Sequence, residues 1–131
     1  MFRDFLLKNK EKTSKNTLHN IKTFKNSFCK KNNISFAHLE FLFWAYNYEF
    51  FTISHASKSI NMTRNGLADR YIYPLTSSGY LFKYFDRLTK PEYENQLFRE
   101  DTKFNYRVRY AISQKGINLV DRFYRDIDHL P

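Results

Sequence analysis

A chain of 131 residues is long enough for one hydrophobic core and short of two domains, so it reads as a single domain, with a basic arm and helix at 1–33 and a core region at 34–131. Twenty-two Lys and Arg against thirteen Asp and Glu leave +9 and a pI near 9.7, a balance that suits a polyanion such as nucleic acid or a basic surface with no partner at all. One cysteine, Cys29, excludes an internal disulfide and a multi-cysteine metal cluster and fits a reducing, cytoplasmic setting, and the longest apolar run, Phe41 to Tyr46, is too short to span a bilayer.

Met1 to Asn33 holds nine Lys or Arg and two acids, a local +7 that is most of the chain's excess charge. Leu18, Ile21, Phe24 and Phe28 keep helical spacing between Ser14 and Lys31, which predicts an amphipathic helix with a Lys-rich outer face. A looser arm bearing Phe2, Phe5 and Leu6 is expected before it. The lysines could touch phosphates or simply solvate the face. Ser35 can cap a second helix running to about Phe50, apolar nearly all round through Leu39, Phe41, Leu42, Phe43, Trp44 and Tyr46, and therefore central.

Thr52 to Leu81 reads as two short helices, a tight turn between them, and the start of a strand. Ile53, Ala56 and Ile60 form the stripe of the first, with Ser54 as its expected cap, and Asn61 and Met62 break the period. Thr63 can cap the second, on which Ala68, Tyr71, Ile72 and Leu75 face inward while Arg64, Asn65, Arg70, Tyr73 and Ser77 face out. Gly79 stops it. Tyr80–Arg87 and Phe104–Ser113 alternate as antiparallel strands, with Arg107 and Arg109 on the outward side of the second. Their connection, Leu88–Lys103, is polar, contains Pro91 and is much longer than an ordinary hairpin turn, as functional or disordered loops are. Ser113 then opens a last helix with Ile117, Val120, Phe123, Tyr124, Ile127 and Leu130 as its stripe.

This order of elements, with the segment LTSSGYL at Leu75 to Leu81 and Ser113-Gln-Lys-Gly116 at the head of the last helix, resembles the winged helix-turn-helix of the MarR family of bacterial transcriptional regulators, over Ile34 to Asp128. The resemblance implies an α+β, mainly helical fold with a two-stranded β-wing and flanking N- and C-terminal helices. It also implies a homodimer that reads double-stranded DNA. Three features depart from the family. Pro74 falls inside the second helix of the pair, where it should kink or end it. Glu92, Glu94, Glu100 and Asp101 make the wing more acidic than one lying along DNA, which points its tip toward protein. The last helix is short, so a dimer would lean on the N-terminal segment.

For major-groove reading, Arg suits guanine and Asn suits adenine, so Thr63, Arg64, Asn65, Arg70 and Tyr73 are the candidate DNA-binding residues. Arg107 and Arg109 are candidates for phosphate contact or for a salt-bridged face. Phe2, Phe5, Leu6, Phe24, Phe28, Phe123 and Ile127 together exceed what one small core should cover and are assigned to a dimer interface. His19, His38, His55 and His129 have no metal-ligand spacing and no nucleophile sits beside a base, so no enzyme, metal or cofactor is expected. A winged-helix protein adaptor and a single-strand or RNA binder using exposed tyrosines are the rival readings. No small-molecule effector can be named.

Overall fold

The computed structural model describes residues 2–87, 102–103 and 106–130, with side chains described over 17–85 and 108–130. The elements run α1 (Phe2–Lys31), α2 (Phe36–Tyr46), α3 (Ile53–Ile60), α4 (Arg64–Leu67), a π turn (Ala68–Ile72), α5 (Tyr73–Ser77), β1 (Leu81–Arg87), β2 (Thr102–Lys103), β3 (Tyr106–Ile112) and α6 (Gln114–Asp128).

The expected arm at the start is instead the first half of α1, a continuous helix of 30 residues and about 45 Å. Nothing in Phe2–Lys31 breaks it, since the chain's three glycines and three prolines all lie later. Asn33, at φ 52, ends it in the left-handed conformation, with the Ile34 N–H returning 3.0 Å to the Cys29 carbonyl. Ser35 caps α2 as expected, its hydroxyl accepting from the His38 N–H at 3.1 Å.

α2 stops at Tyr46, earlier than its apolar pattern suggests. Asn47 and Tyr48 turn the chain back, and Phe51 pairs with Tyr110 of β3 through two backbone hydrogen bonds of 2.9 and 2.8 Å. That pairing satisfies the groups the helix would otherwise have used and carries Phe50 out of α2. Leu39, Phe41, Leu42 and Ala45 of α2 are buried, which makes it the central helix.

β1 and β3 form the expected antiparallel hairpin, in register from Leu81↔Ile112 to Arg87↔Tyr106. β2 adds two residues to the other edge of β3, giving the order β1-β3-β2. The remainder of the long connection, 88–101, lies outside the described residues.

Ser113 caps α6 and its hydroxyl also donates to the Gly79 carbonyl. Gly116 is required by contact: a Cβ there would lie 2.5 Å from the Tyr80 carbonyl oxygen and 2.6 Å from Ile112 Cγ1. α6 buries Leu119, Val120 and Phe123, while Tyr124 of the expected stripe stays exposed, its ring 5.5 Å from that of Phe43. Tyr46 Oη donates to Asp121 Oδ1 at 2.8 Å and ties α2 to α6. Phe28, Leu39, Leu42, Leu67, Ile72, Leu75, Leu81, Tyr110, Leu119, Val120 and Phe123 belong to one buried cluster shared by α1, α2, the 64–77 run, the sheet and α6. This is a mainly helical α+β arrangement, a helix pair followed by a β-wing and a closing helix: a winged helix-turn-helix.

Candidate nucleic-acid interface

The surface is built around the turn between α3 and α4. Thr52, not Ser54, caps α3: its hydroxyl accepts from the His55 N–H at 3.1 Å, and Ser54 is buried one residue inside the helix. Asn61 closes α3 at φ 61, the Met62 N–H returns 3.1 Å to the Ser57 carbonyl, and the Ser57 hydroxyl donates to the Met62 carbonyl. Thr63 then caps α4, accepting from the Gly66 N–H at 3.1 Å. A Cβ on Gly66 would come within 2.9 Å of that cap oxygen, so a glycine there leaves the cap undisturbed.

Thr63, Arg64, Asn65 and Tyr73 line one open concavity of about 550 Å³, with Ile53 and Ala68 beneath them. Four of the five residues assigned to this helix from the sequence are thus brought together. Asn65 and Tyr73 are exposed and Arg64 is half-buried. Arg70 is exposed but does not line the concavity. Two further charges lie here: Lys58 and Asp69 are both exposed, the first on α3 and the second on the π turn. Asp69 opposes a phosphate backbone where Lys58 attracts one.

Pro74 neither ends nor breaks the helical run. Immediately before it the backbone widens into the π turn, with the Tyr73 N–H returning to the Ala68 carbonyl, and Pro74 sits in the first turn of α5, where its missing N–H costs least. Proline cannot donate to the carbonyl four residues back, that of Arg70. His38 Nε2 lies 2.6 Å from that oxygen. A carbonyl only accepts, so the ring nitrogen facing it carries the proton. The His38 ring also meets Tyr71 edge-on at 5.5 Å. His38, left by the sequence among scattered histidines, therefore takes over a helix hydrogen bond that Pro74 removed. His38→Ala should cost about 1 kcal/mol of stability, and clearly less when Pro74→Ala restores the N–H. Equal costs in both backgrounds, measured by urea unfolding, would contradict this division of labour.

On the sheet, Arg109 is half-exposed, its guanidinium 5.7 Å from the Phe50 ring, and with Phe50, Phe51, Thr52 and His55 it lines a second open cavity of about 330 Å³. The Arg107 side chain lies outside the described residues. Burial, with Tyr73 nearby adding to it, raises the Tyr110 phenol above its ordinary pKa and keeps it neutral beneath this surface. Burial likewise raises the Cys29 thiol, against an opposing pull from Lys25, which suits packing better than reactivity. Among the described residues no three His, Cys, Asp or Glu side chains gather as a metal site would need.

The residues assigned to a dimer interface are placed differently from one another. Phe28 and Phe123 are buried in the chain's own core, and Phe24 packs with them at ring distances of 5.7 and 5.2 Å. Ile127 is half-buried against the same core. The apolar surplus that suggested a partner is therefore smaller than the sequence implied. The side chains of Phe2, Phe5 and Leu6 lie outside the described residues. Leu18 and Ile21, earlier on the same α1 stripe, are 69% and 38% exposed. No helix among the described residues is long and apolar enough to cross a membrane.

No family model and no curated protein sequence matches the chain. Two solved structures do: a MepR mutant from a multidrug resistant S. aureus clinical isolate and a second S. aureus MepR mutant. They have TM-scores of 0.64 and 0.60 at 14% identity, covering 90% of this chain and 75% and 76% of theirs. The chain has a MarR-like winged helix-turn-helix fold, which it shares with MepR.

Proposed function

We propose that this protein is a transcriptional regulator that binds double-stranded DNA, with the 64–77 helical run entering the major groove. The observation that carries this reading is the concavity that collects Thr63, Arg64 and Asn65 from the N-terminal end of that run and Tyr73 from its later part. There the backbone N–H groups and the donors of Arg and Asn suit base edges and phosphates. The fold shared with MepR and the +9 charge point the same way. Arg109 and Arg107 on the wing are assigned to phosphate. Arg64→Ala should cost about 1 to 3 kcal/mol on a preferred duplex and relax preference at one base position. An equal loss on every duplex, read by fluorescence anisotropy, would demote Arg64 to a phosphate contact.

The same reading takes the protein as a homodimer, since two half-sites need two reading helices about 34 Å apart. Its support is α1: one apolar stripe is covered by α2 and α6 near Phe28 and exposed at Ile21 and Leu18. A helix of 30 residues that leaves Leu18 and Ile21 of its stripe exposed gains stability from a surface that covers them. Light scattering at micromolar concentration should give twice the chain mass, and deletion of Met1 to Lys12 should shift it toward one. A full-length monomer would remove the dimer from the account.

Phe82 and Phe85 on β1 are 44% and 60% exposed, which favours a second reading as a winged-helix protein adaptor. An adaptor would leave Arg64→Ala without effect on its partner.

A further inference from the structure

An antiparallel sheet with one face on the core ordinarily carries polar residues on the other. In the β1 and β3 pair, Leu81, Tyr110 and Ile112 are buried against the core. The register then puts Phe82 and Tyr84 of β1 and Arg109 of β3 on the opposite, outer face. That face is aromatic. Phe50, brought there by the bridge between Phe51 and Tyr110, has its ring 4.8 Å from that of Tyr84, and the Tyr84 ring lies 6.3 Å from that of Phe82. Arg109 stands opposite Tyr84 across the strands, with its guanidinium 5.7 Å from the Phe50 ring. Phe82 is exposed and Tyr84 and Phe50 are half-buried, so three rings reach the surface side by side. Phe85 belongs to the other face, where Lys83 Nζ lies 5.3 Å from its ring.

We propose that this outer sheet face binds unpaired bases of a single-stranded nucleic acid, at a site separate from the 64–77 run. Every base has a π face, so a row of rings takes successive bases whatever their sequence. Phe82 and Tyr84, two residues apart on an extended strand, offer neighbouring rings to neighbouring bases, the arrangement by which sheet aromatics hold two or three bases in RNA-binding domains. Arg109 among the rings selects this occupant, since a flat base joined to a phosphate meets both the stacking surface and the cation. Beside it, the open cavity of about 330 Å³ lined by Phe50, Thr52, His55 and Arg109 leaves room for sugar and phosphate. The proposal shares only Arg109 with the duplex reading, so its test changes the rings alone.

A fluorescein-labelled oligomer of about six deoxythymidines cannot form a duplex, and its anisotropy should rise to saturation with added protein. Phe82→Leu and Tyr84→Leu keep apolar bulk and lose the π face, and each should weaken that binding about tenfold. Tyr84→Phe keeps the ring and should bind like the parent. An abasic oligomer of the same length retains the phosphates alone and should also bind about tenfold more weakly. Circular dichroism checks that the variants fold. No saturable binding by the parent chain, equal binding of the abasic oligomer, or unchanged affinity in both Leu variants would overturn the site, and the first of these would return the face to a protein partner. An equal loss of duplex affinity in the Leu variants would overturn its separateness, because the rings would then belong to the duplex surface. The oligomer titrations contain no duplex, so their failure leaves the duplex reading standing, and the reverse also holds.

Discussion

Gly116→Ala is expected to destabilise the protein by about 3 kcal/mol, lowering the thermal midpoint by roughly 10 °C. The argument is steric. The added Cβ would meet the Tyr80 carbonyl oxygen at 2.5 Å and Ile112 Cγ1 at 2.6 Å, and of these only the Ile112 side chain can move without displacing backbone. Relief would require the head of α6 to lift from the Gly79–Tyr80 turn, breaking the Ser113 hydroxyl bond to the Gly79 carbonyl and the 2.8 Å bond from Lys115 Nζ to the Ser78 carbonyl. Gly79→Ala makes a useful comparison. Its Cβ would make only ordinary van der Waals contact, with Lys115 Cδ at 3.7 Å, so the cost there is the φ of +84° alone, about 1 kcal/mol. Thermal unfolding of both variants by circular dichroism separates the two effects. A Gly116→Ala protein within 0.5 kcal/mol of the parent would mean that α6 does not dock as described.

The elements that could be read from the sequence were those whose cause is local. Ser35, Thr63 and Ser113 cap the helices they were expected to cap, because a side-chain oxygen and an N–H three residues on need no help from the rest of the chain. Gly79 ends the 64–77 run, and the alternation of Tyr110 and Ile112 gave the strand facing the core. Misreadings came from partners far away in sequence. The end of α2 depends on Phe51 pairing with Tyr110, a single bridge that leaves no periodic trace. Thr52 and Ser54 are both good caps, and only burial of Ser54 decides between them. Pro74 signals a break unless His38, on another helix, is seen to take up the Arg70 carbonyl. Leu119 was absent from the expected stripe of α6, yet it is 4% exposed, since α6 packs against both α2 and β3 and needs a wider apolar face than one stripe.

The candidate interface was partly visible for the same reason. Thr63, Arg64, Asn65 and Tyr73 follow from helical spacing after a recognisable cap, whereas Arg70, inside the π turn, is exposed away from that group. Asp69, exposed in the same run, opposes a phosphate backbone. It predicts that the DNA contact of this helix is weaker at its middle than at its start.

The central claim is that this surface binds duplex DNA, and the affinity for duplex as a function of salt tests it most directly. Each phosphate neutralised by Lys or Arg releases counterions and adds roughly 0.9 to the slope of log affinity against log salt. With about six such contacts, affinity should fall around a thousandfold between 50 and 200 mM salt. The account predicts that steep, linear decline, with duplex preferred over single strands. Weak binding that salt does not change would contradict it.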